Sequence, residues 1–231
     1  MLLRNFLFVI LFSVLATLPP RAFAQRAYDP HFSIGGKAGV TFSNMSFAPS
    51  IEQSMLQGIS VGAVARYVEE KYFGLVAELN IEQRGWKETF DETEFDYQRR
   101  LTYIQLPVMT HIYFGSDKFK GFFNLGPSVG YLISDSRSAN FDYNNPAAVE
   151  GFPIANRHVN QMSMEIKNHF DYGICAGAGL ELIIKRKHSF ILEGRYYYGL
   201  GNIFSAKKKD EFSASRGTSI QVALGYMFHI K

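Results

Sequence analysis

The last fifteen residues of the chain, 217–231, constrain its fold more than any other stretch. Read at every second position, they place apolar side chains on one side and small or polar side chains on the other. The apolar side carries Ile220, Val222, Leu224, Tyr226, Phe228 and Ile230. Successive side chains of a β-strand point to opposite faces, so this period of two predicts a long strand. Aromatic residues near the end of such a strand are typical of the strand that closes an outer-membrane β-barrel.

The first 24 residues have the parts of a secretory signal peptide. Arg4 gives a positive start, an apolar run follows over residues 6–18, and Ala-Phe-Ala at 22–24 fits a cleavage site before Gln25. The apolar run is short for a membrane-spanning helix, which needs about 20 residues. Loss of Arg4 and Arg21 takes two positive charges from the formal net charge of +3 and leaves +1. The mature chain is therefore expected to be nearly neutral.

Seven further segments alternate in the same way before the terminal strand. They lie at residues 31–42, 58–68, 75–82, 101–114, 121–134, 170–182 and 190–198. The connections between the eight segments alternate in length, and the long ones cover 43–57, 85–100, 135–168 and 200–216. Short turns at one end and long loops at the other are typical of small outer-membrane barrels. The sequence predicts a signal peptide over 1–24 and, over 25–231, an all-β, up-and-down, eight-stranded antiparallel transmembrane (outer-membrane) β-barrel.

Two prolines and the position of the chain ends refine this prediction. Pro107 and Pro127 fall inside predicted strands, where a proline cannot donate to the backbone ladder. We therefore expect each proline to mark a bulge or a local break. An even number of strands returns the chain to its starting side, so both ends should lie in the periplasm and the four long loops outside the cell.

The second face of the alternating segments carries three bases and five acids among glycines and serines. These residues are Lys37, Arg66, Glu78, Glu82, Asp171, Glu181, Glu193 and Arg195. In a soluble, lipocalin-like barrel they would form the solvated outer surface. An interior position is favoured because glycines weaken exposed strands and because an eight-stranded barrel has room only for side chains. Buried charges must be paired, so we expect one lumen charge network and no wide pore.

Three motifs carry a resemblance to a known family. Residues 103–115 read YIQLPVMTHIYFG, residues 121–131 read GFFNLGPSVGY, and residues 36–40 read GKAGV. The chain resembles the PorT-like outer-membrane β-barrel family of Bacteroides-type bacteria over nearly its whole mature length. The resemblance implies a small outer-membrane barrel and, from the founding member, a role in the type IX secretion machinery. Most relatives are small barrels of unknown role, and the motifs belong to the scaffold.

The sequence offers no defined catalytic or metal-binding pattern. His158 and His169 lie in or beside the longest loop, and a grouping with Asp171 and Ser163 can be drawn, but no spacing rule supports it. Cys175 is the only cysteine, and we interpret it as a buried small residue. We therefore expect no catalytic residue, no cofactor, no metal site and no nucleic-acid partner.

The long loops hold the candidate binding residues. The loop over 85–100 is acidic, whereas Lys207, Lys208 and Lys209 make the last loop basic. Two interpretations stay open: the two loops are solvated tips that pair loosely, or the lysines contact lipopolysaccharide phosphates. The loop over 135–168 is too long for a simple connection and contains three aromatic residues, Phe141, Tyr143 and Phe152. Expected partners are outer-membrane lipid or lipopolysaccharide, the barrel-assembly machinery, and other envelope proteins such as secretion components.

Three functional hypotheses follow for a protein of the cell outer membrane. The leading hypothesis is a non-enzymatic structural or interaction protein, accessory to type IX protein secretion as the resemblance implies. The second is a small porin-like transport channel. The third is an outer-membrane lipid-modifying enzyme, since some small barrels carry out such chemistry at their loop edges.

Overall fold

The computed structural model describes residues 30–90, 93–154, 157–206 and 210–230, and most of them lie in antiparallel strands. The strands are β1 (His31–Ala48), β2 (Gln53–Ser54), β3 (Leu56–Glu70), β4 (Phe73–Glu88), β5 (Tyr97–Gly115), β6 (Phe119–Ala139), β7 (Phe170–Ile184), β8 (His188–Gly199) and β9 (Ala214–His229). A short helix, α1, covers Asn160–Ser163, and a single 3-10 turn covers Pro146–Ala148. Among the described residues, no helix is both long and apolar enough to cross a membrane. The predicted signal peptide and Lys207, Lys208 and Lys209 lie outside these residues.

Eight long strands close into a ring. Each pairs antiparallel with the next in the order β1, β3, β4, β5, β6, β7, β8 and β9, and β9 returns to pair with β1. The two-residue strand β2 adds to the loop end of β4. The predicted eight-stranded antiparallel barrel is therefore confirmed, and the terminal strand closes it as its alternation indicated.

The stagger of the ring sets the width of the barrel. Following the paired residues once round the ring from His31 leads back to β1 at Thr41, a shift of ten residues. Eight strands closed with a stagger of this size tilt by roughly 40° and leave an interior that side chains just fill. The geometry of the backbone therefore already limits what the lumen can hold.

The outer face of the barrel is an apolar belt. Every spanning strand carries large apolar side chains on its outer face, and Leu224 on the closing strand is 68% exposed. Aromatic residues border the belt at the turn end, including Phe32, Tyr67, Phe73, Phe114 and Tyr226, and at the loop end, including Tyr131, Phe170, Tyr172, Tyr196 and Tyr198. Exposed apolar residues on this scale require lipid rather than water outside, which is the arrangement of an outer-membrane barrel.

The strands extend further at the loop end than the sequence predicted. β1 continues to Ala48, β5 begins at Tyr97 and β6 continues to Ala139, so the irregular stretches shrink to 89–96, 140–169 and 200–213. The difference arises because the outward side chains become polar beyond the lipid. The pattern then loses the apolar residue at every second position, although the backbone continues to pair.

The two prolines interrupt the ladder without changing its register. Pairing between β4 and β5 is missing opposite Pro107, and pairing between β5 and β6 is missing opposite Pro127, while the register on either side of each gap is the same. The expected local breaks are therefore confirmed. Register shifts occur elsewhere, at Thr102/Tyr103 and at Val68/Glu70.

Candidate functional site

The lumen holds the charged residues that the alternation placed on the second face. Lys37, Arg66, Glu78, Glu82, Asp171, Glu181, Glu193 and Arg195 all project inward, and each is at most 7% exposed. They are divided into three layers along the barrel axis, and Arg84 supplies the base of the third layer. Burial of this many charges is tolerated only where partners replace the lost water, so the contacts within each layer decide the stability of the barrel.

The middle layer joins two bases and two acids. Arg195 donates to both carboxylate oxygens of Glu78, at 2.7 Å each, and its Nη2 also lies 2.7 Å from Glu193 Oε1. Lys37 Nζ lies 2.7 Å from Glu78 and 3.3 Å from Glu193. Each base therefore contacts both acids. A fork-shaped guanidinium facing a carboxylate is among the strongest pairings that proteins use.

Side-chain amides complete the middle layer. Asn80 Nδ2 donates to Glu78 at 2.8 Å, and Asn124 Nδ2 donates to Glu193 at 3.0 Å. His111 Nδ1 lies 2.7 Å from Asn124 Oδ1, which fixes the orientation of that amide. The carboxylate oxygens are thus satisfied by charged and neutral donors together, as a buried network requires.

A second layer lies toward the turn end of the barrel. Arg66 donates to both oxygens of Glu181, at 2.5 and 3.0 Å. His229 contacts Ser33 through Nδ1 at 2.9 Å and Ser189 through Nε2 at 2.5 Å, and the same Nε2 lies 3.9 Å from Glu181. In a serine–histidine–acid triad the acid contacts the nitrogen opposite the serine. Glu181 instead lies beside the nitrogen that contacts Ser189. It is opposite the nitrogen that contacts Ser33, but at 3.9 Å it does not hydrogen-bond His229, so neither serine has triad geometry.

The third layer, toward the loop end, is centred on Arg84. Its Nη2 lies 2.8 Å from Asp171 Oδ2, and its Nε lies 3.5 Å from Glu82. The guanidinium is sandwiched between two rings, 4.4 Å from the Tyr103 centroid and 4.2 Å from the Tyr197 centroid. Tyr197 also donates its hydroxyl to Asp171 at 2.7 Å. Stacking and ion pairing together hold this side chain across the lumen.

Two small cavities lie between the layers. One of about 30 Å³ lies beside Lys37, Glu78 and Glu193, and another of about 20 Å³ lies beside Arg66 and Glu181. A cavity of this size has room for one or two water molecules. The described side chains therefore leave no space there for a larger solute.

Aromatic and aliphatic side chains close the loop end of the barrel. The cluster comprises Met45, Phe47, Trp86, Phe90, Tyr97, Leu101, Tyr103, Leu132, Phe152, Met162, Ile166, Ile203, Phe204 and Phe212. Its members come both from inward positions of four strands and from the connections at 89–96, 140–169 and 200–213. Loop residues can pack against inward-facing strand residues only by crossing the mouth. The mouth is therefore covered by the protein's own loops.

Helix α1 is fastened into this mouth by polar contacts. Gln161 and Met162 are both fully buried. Tyr97 donates its hydroxyl to the carbonyl of Met162 at 2.8 Å, and Arg99 Nη1 donates to the carbonyl of Gln161 at 3.0 Å. The side-chain amide of Gln161 donates to both oxygens of Glu88, at 3.0 and 3.2 Å. These bonds hold the segment 160–163 inside the barrel mouth.

Glu88 is the acidic residue that accepts hydrogen bonds from this helix. The outward positions of β4 are polar after Ile81, so Glu88 lies well beyond the membrane-spanning part of its strand. Burial raises the pKa of Glu88 to about 7, although hydrogen bonds from Gln161 and Trp86 and the charge of Arg157 oppose the rise. The carboxyl group therefore changes charge near neutral pH, where ordinary glutamates are fully ionised.

Three interacting residues at this end were missed by the sequence reasoning. Arg84, Glu88 and Arg99 fell at the edge of, or inside, a predicted loop. Arg99 is fully buried and donates to both oxygens of Asp135, at 2.9 and 2.7 Å. The parity of the inward positions continues through 84, 86 and 88 on β4 and through 97, 99 and 101 on β5. Continuing the alternation of inward and outward positions beyond the last outward apolar residue of each strand would have predicted these three residues.

The aromatic residues predicted as a binding surface in the longest loop pack inward instead. Phe152 is buried, and Phe141 and Tyr143 are partly buried against the loop-end cluster. The ring centroids of Phe141 and Phe152 are 5.0 Å apart, and Tyr143 lies 5.9 Å from Tyr97. This corrects the role expected of these rings, because covering the mouth already uses their apolar surface. Binding by the remainder of the loop stays a prediction.

The histidine grouping considered from sequence does not assemble. His158 lies 3.3 Å from Glu211, whereas Asp171 is engaged in the third lumen layer and Ser163 bonds within its own helix. Cys175 is free and buried, as expected of a small interior residue. Within the described ranges, no group of three or more histidine, cysteine, aspartate or glutamate side chains is placed to hold a metal ion.

An antiparallel eight-stranded barrel, apolar outside and charged inside, defines the class of outer-membrane β-barrel proteins. The family model described as "Outer membrane protein beta-barrel domain" matches residues 23–205, so the chain belongs to that family and to the outer membrane. No curated protein sequence matches the chain. The family shown is this broad one, and the narrower PorT-like resemblance stays a prediction.

Several solved structures are similar to this chain. The outer membrane protein OprG from Pseudomonas aeruginosa has 9% identity and a TM-score of 0.52, over 87% of this chain and 95% of OprG. Neisserial surface protein A has 12% identity and a TM-score of 0.46, over 85% of this chain and 96% of that protein. The outer membrane enzyme PagL has 12% identity and a TM-score of 0.34, over 83% and 97%. The OprG match shows a shared fold and nothing more.

Proposed function

We propose that this protein is a non-enzymatic structural or interaction component of the outer membrane, built as a closed barrel. The observation that carries the proposal is the lumen itself. Three ionic layers occupy it, and loop residues cover its mouth, including the fully buried Gln161 and Met162. A barrel filled along its length offers its loops and its outer wall to other molecules, and it offers no interior route.

Within this class, we propose a role accessory to type IX protein secretion. The support is the resemblance carried by residues 103–115 and 121–131, which belong to the scaffold. Deletion of the gene is expected to retain type IX cargo inside the cell envelope, and a plasmid copy is expected to restore its release. Unchanged release of cargo from the deletion strain would remove the secretion role while leaving the structural role standing.

The enzymatic alternative has a separate test. A lipid-modifying enzyme would change the covalent structure of lipids in the outer leaflet. The measurement is therefore the mass spectrum of lipid A from the deletion strain. We expect the same spectrum as in the parent strain, since Ser189 and His229 lack the acid placement of a triad. A missing acyl chain or substituent that returns with the plasmid copy would contradict the non-enzymatic proposal.

A further inference from the structure

The loop-end border of the apolar belt is not uniform round the barrel. On β6, β7 and β8 the outward border is aromatic, with exposed rings such as Tyr131, Tyr172 and Tyr196. On β3, β4 and β5 the last outward apolar residues are isoleucines, and polar residues follow them directly. One side of the barrel therefore meets the membrane surface with rings and the other side with amides and cations.

The polar side contains a groove, which we call the β3–β5 groove. It has a volume of about 450 Å³ on the outer wall, and its lining includes Gln57, Gln83, Lys87, Gln98 and Arg100. The register places these residues side by side, because Lys87 pairs with Gln98 and position 85 pairs with Arg100. Three amides and two cations thus converge on one outward surface.

The position of the groove along the barrel axis places it at the level of the membrane surface. Its lower edge is Ile59, which is 58% exposed and belongs to the apolar belt, and Met55 on its rim is 54% exposed. Long loops of outer-membrane barrels face the outside of the cell, so the groove opens at the outer-leaflet headgroups. A ligand there needs an apolar part below and an anionic, hydrogen-bonding part above.

The charges of the groove favour an anion. Arg100 Nη2 donates weakly to the carbonyl of Gln57 at 3.5 Å, and among the described residues its Nε, which is buried, has no hydrogen-bond partner. Lys87 Nζ contacts Asp96 at 2.5 Å, and both of these side chains are more than two-fifths exposed. An exposed pair of this kind is weak, so a phosphate can compete for the lysine. The lining of the groove therefore includes two cations, and the carboxylate of Asp96 contacts one of them.

We propose that the β3–β5 groove binds the phosphorylated sugar headgroup of an outer-leaflet glycolipid, the lipid A part of lipopolysaccharide. Lys87 and Arg100 contact its phosphates, the glutamine side chains contact sugar hydroxyls and amides, and an acyl chain lies along Ile59. Arginine and lysine are the residues that proteins use for phosphate, and clustered bases beside a membrane bind anionic headgroups. Binding here is independent of the lumen and of the secretion role.

The test uses native mass spectrometry of the full mature protein in detergent, titrated with bisphosphorylated lipid A. Wild type is expected to bind it at least tenfold more tightly than Lys87→Gln/Arg100→Gln, a difference of about 1.4 kcal/mol. The matched control, Lys118→Gln/Lys187→Gln, removes two exposed lysines at the turn end and should bind as wild type does. Fully dephosphorylated lipid A should bind wild type at least tenfold more weakly.

A second variant keeps the proposal testable if the double variant fails to fold. Asp96→Asn removes the carboxylate that competes for Lys87, so it should raise the affinity for bisphosphorylated lipid A. Inorganic phosphate at millimolar concentration should not displace the lipid. Equal binding of phosphorylated and dephosphorylated lipid A, unchanged binding by Asp96→Asn, or displacement by inorganic phosphate alone would each overturn the proposal.

Discussion

Replacement of Arg195 by alanine should be the most damaging single change in the lumen. The substitution removes the fork that contacts Glu78 at 2.7 Å through both nitrogens and also removes the 2.7 Å contact with Glu193. Both acids then depend on Lys37, at 2.7 and 3.3 Å, and on one amide each. Two buried carboxylates sharing one ammonium group are left with a surplus negative charge.

The expected cost follows from that surplus. Breaking a buried pair by removing one partner costs about 3–5 kcal/mol, because the remaining charge stays desolvated. Arg195→Met, which fills more of the vacated space, should recover little of this loss if charge dominates. Glu78→Gln combined with Arg195→Met leaves Lys37 with Glu193 alone and should be more stable than Arg195→Met by itself.

Urea unfolding in lipid vesicles provides the measurement. Trp86 is the only tryptophan and is fully buried in the loop-end cluster, so its fluorescence reports on the folded barrel. The control is Lys167→Ala, which removes a 61% exposed base paired with Glu165 and should leave the free energy of unfolding nearly unchanged, because exposed ion pairs contribute little. Equal losses of unfolding free energy for Arg195→Ala and Lys167→Ala would refute the pairing argument.

Three further predictions concern the loop end. The folded pKa of Glu88 is about 7 against an ordinary value of 4.5. The protonated carboxyl group therefore stabilises the folded protein by about 3 kcal/mol. This stabilisation is fully present below pH 4.5 and is lost as the pH rises through 7. Glu88→Gln should remove this dependence in hydrogen exchange of the segment 160–163, and a pH profile like that of wild type would contradict the assignment. Tyr97→Phe removes the bond to the Met162 carbonyl and should speed proteolysis in the connection 140–169, whereas unchanged cleavage would mean that the bond does not fasten the loop. An epitope tag in that same connection should be detected on intact cells, and detection only after the outer membrane is broken would invert the topology.

The period-two alternation was sufficient to predict the barrel because lipid acts on every spanning strand in the same way. It imposes an apolar residue at each outward position, and the register of the closed ring follows from strand pairing. The same logic placed Lys37 and Glu193 on the inner side, although these residues lie 156 positions apart in the chain. Alternate positions in the sequence assign each side chain to a face of its strand. Which charged side chains contact each other depends on how the eight strands pair in the closed barrel.

The closure of the mouth could not be read from the sequence in the same way. Phe152 and Phe212 come from irregular segments with no periodicity, and their contacts with Phe90 and Phe47 depend on how the loops fold back. Such long-range packing carries no local signal. The β3–β5 groove was equally hidden, because it requires neighbouring strands at one height, and Lys87 and Arg100 had been assigned to a loop.

Conductance in planar lipid bilayers tests the closed-barrel account most directly. The purified protein, shown to be folded by faster gel migration when unboiled, is inserted at neutral pH under an applied voltage. The ionic layers at Glu78, Glu181 and Asp171 and the covered mouth predict no stable open-channel current. Reproducible unitary conductance steps, together with permeation of a small solute into liposomes, would contradict the account and favour the porin-like channel.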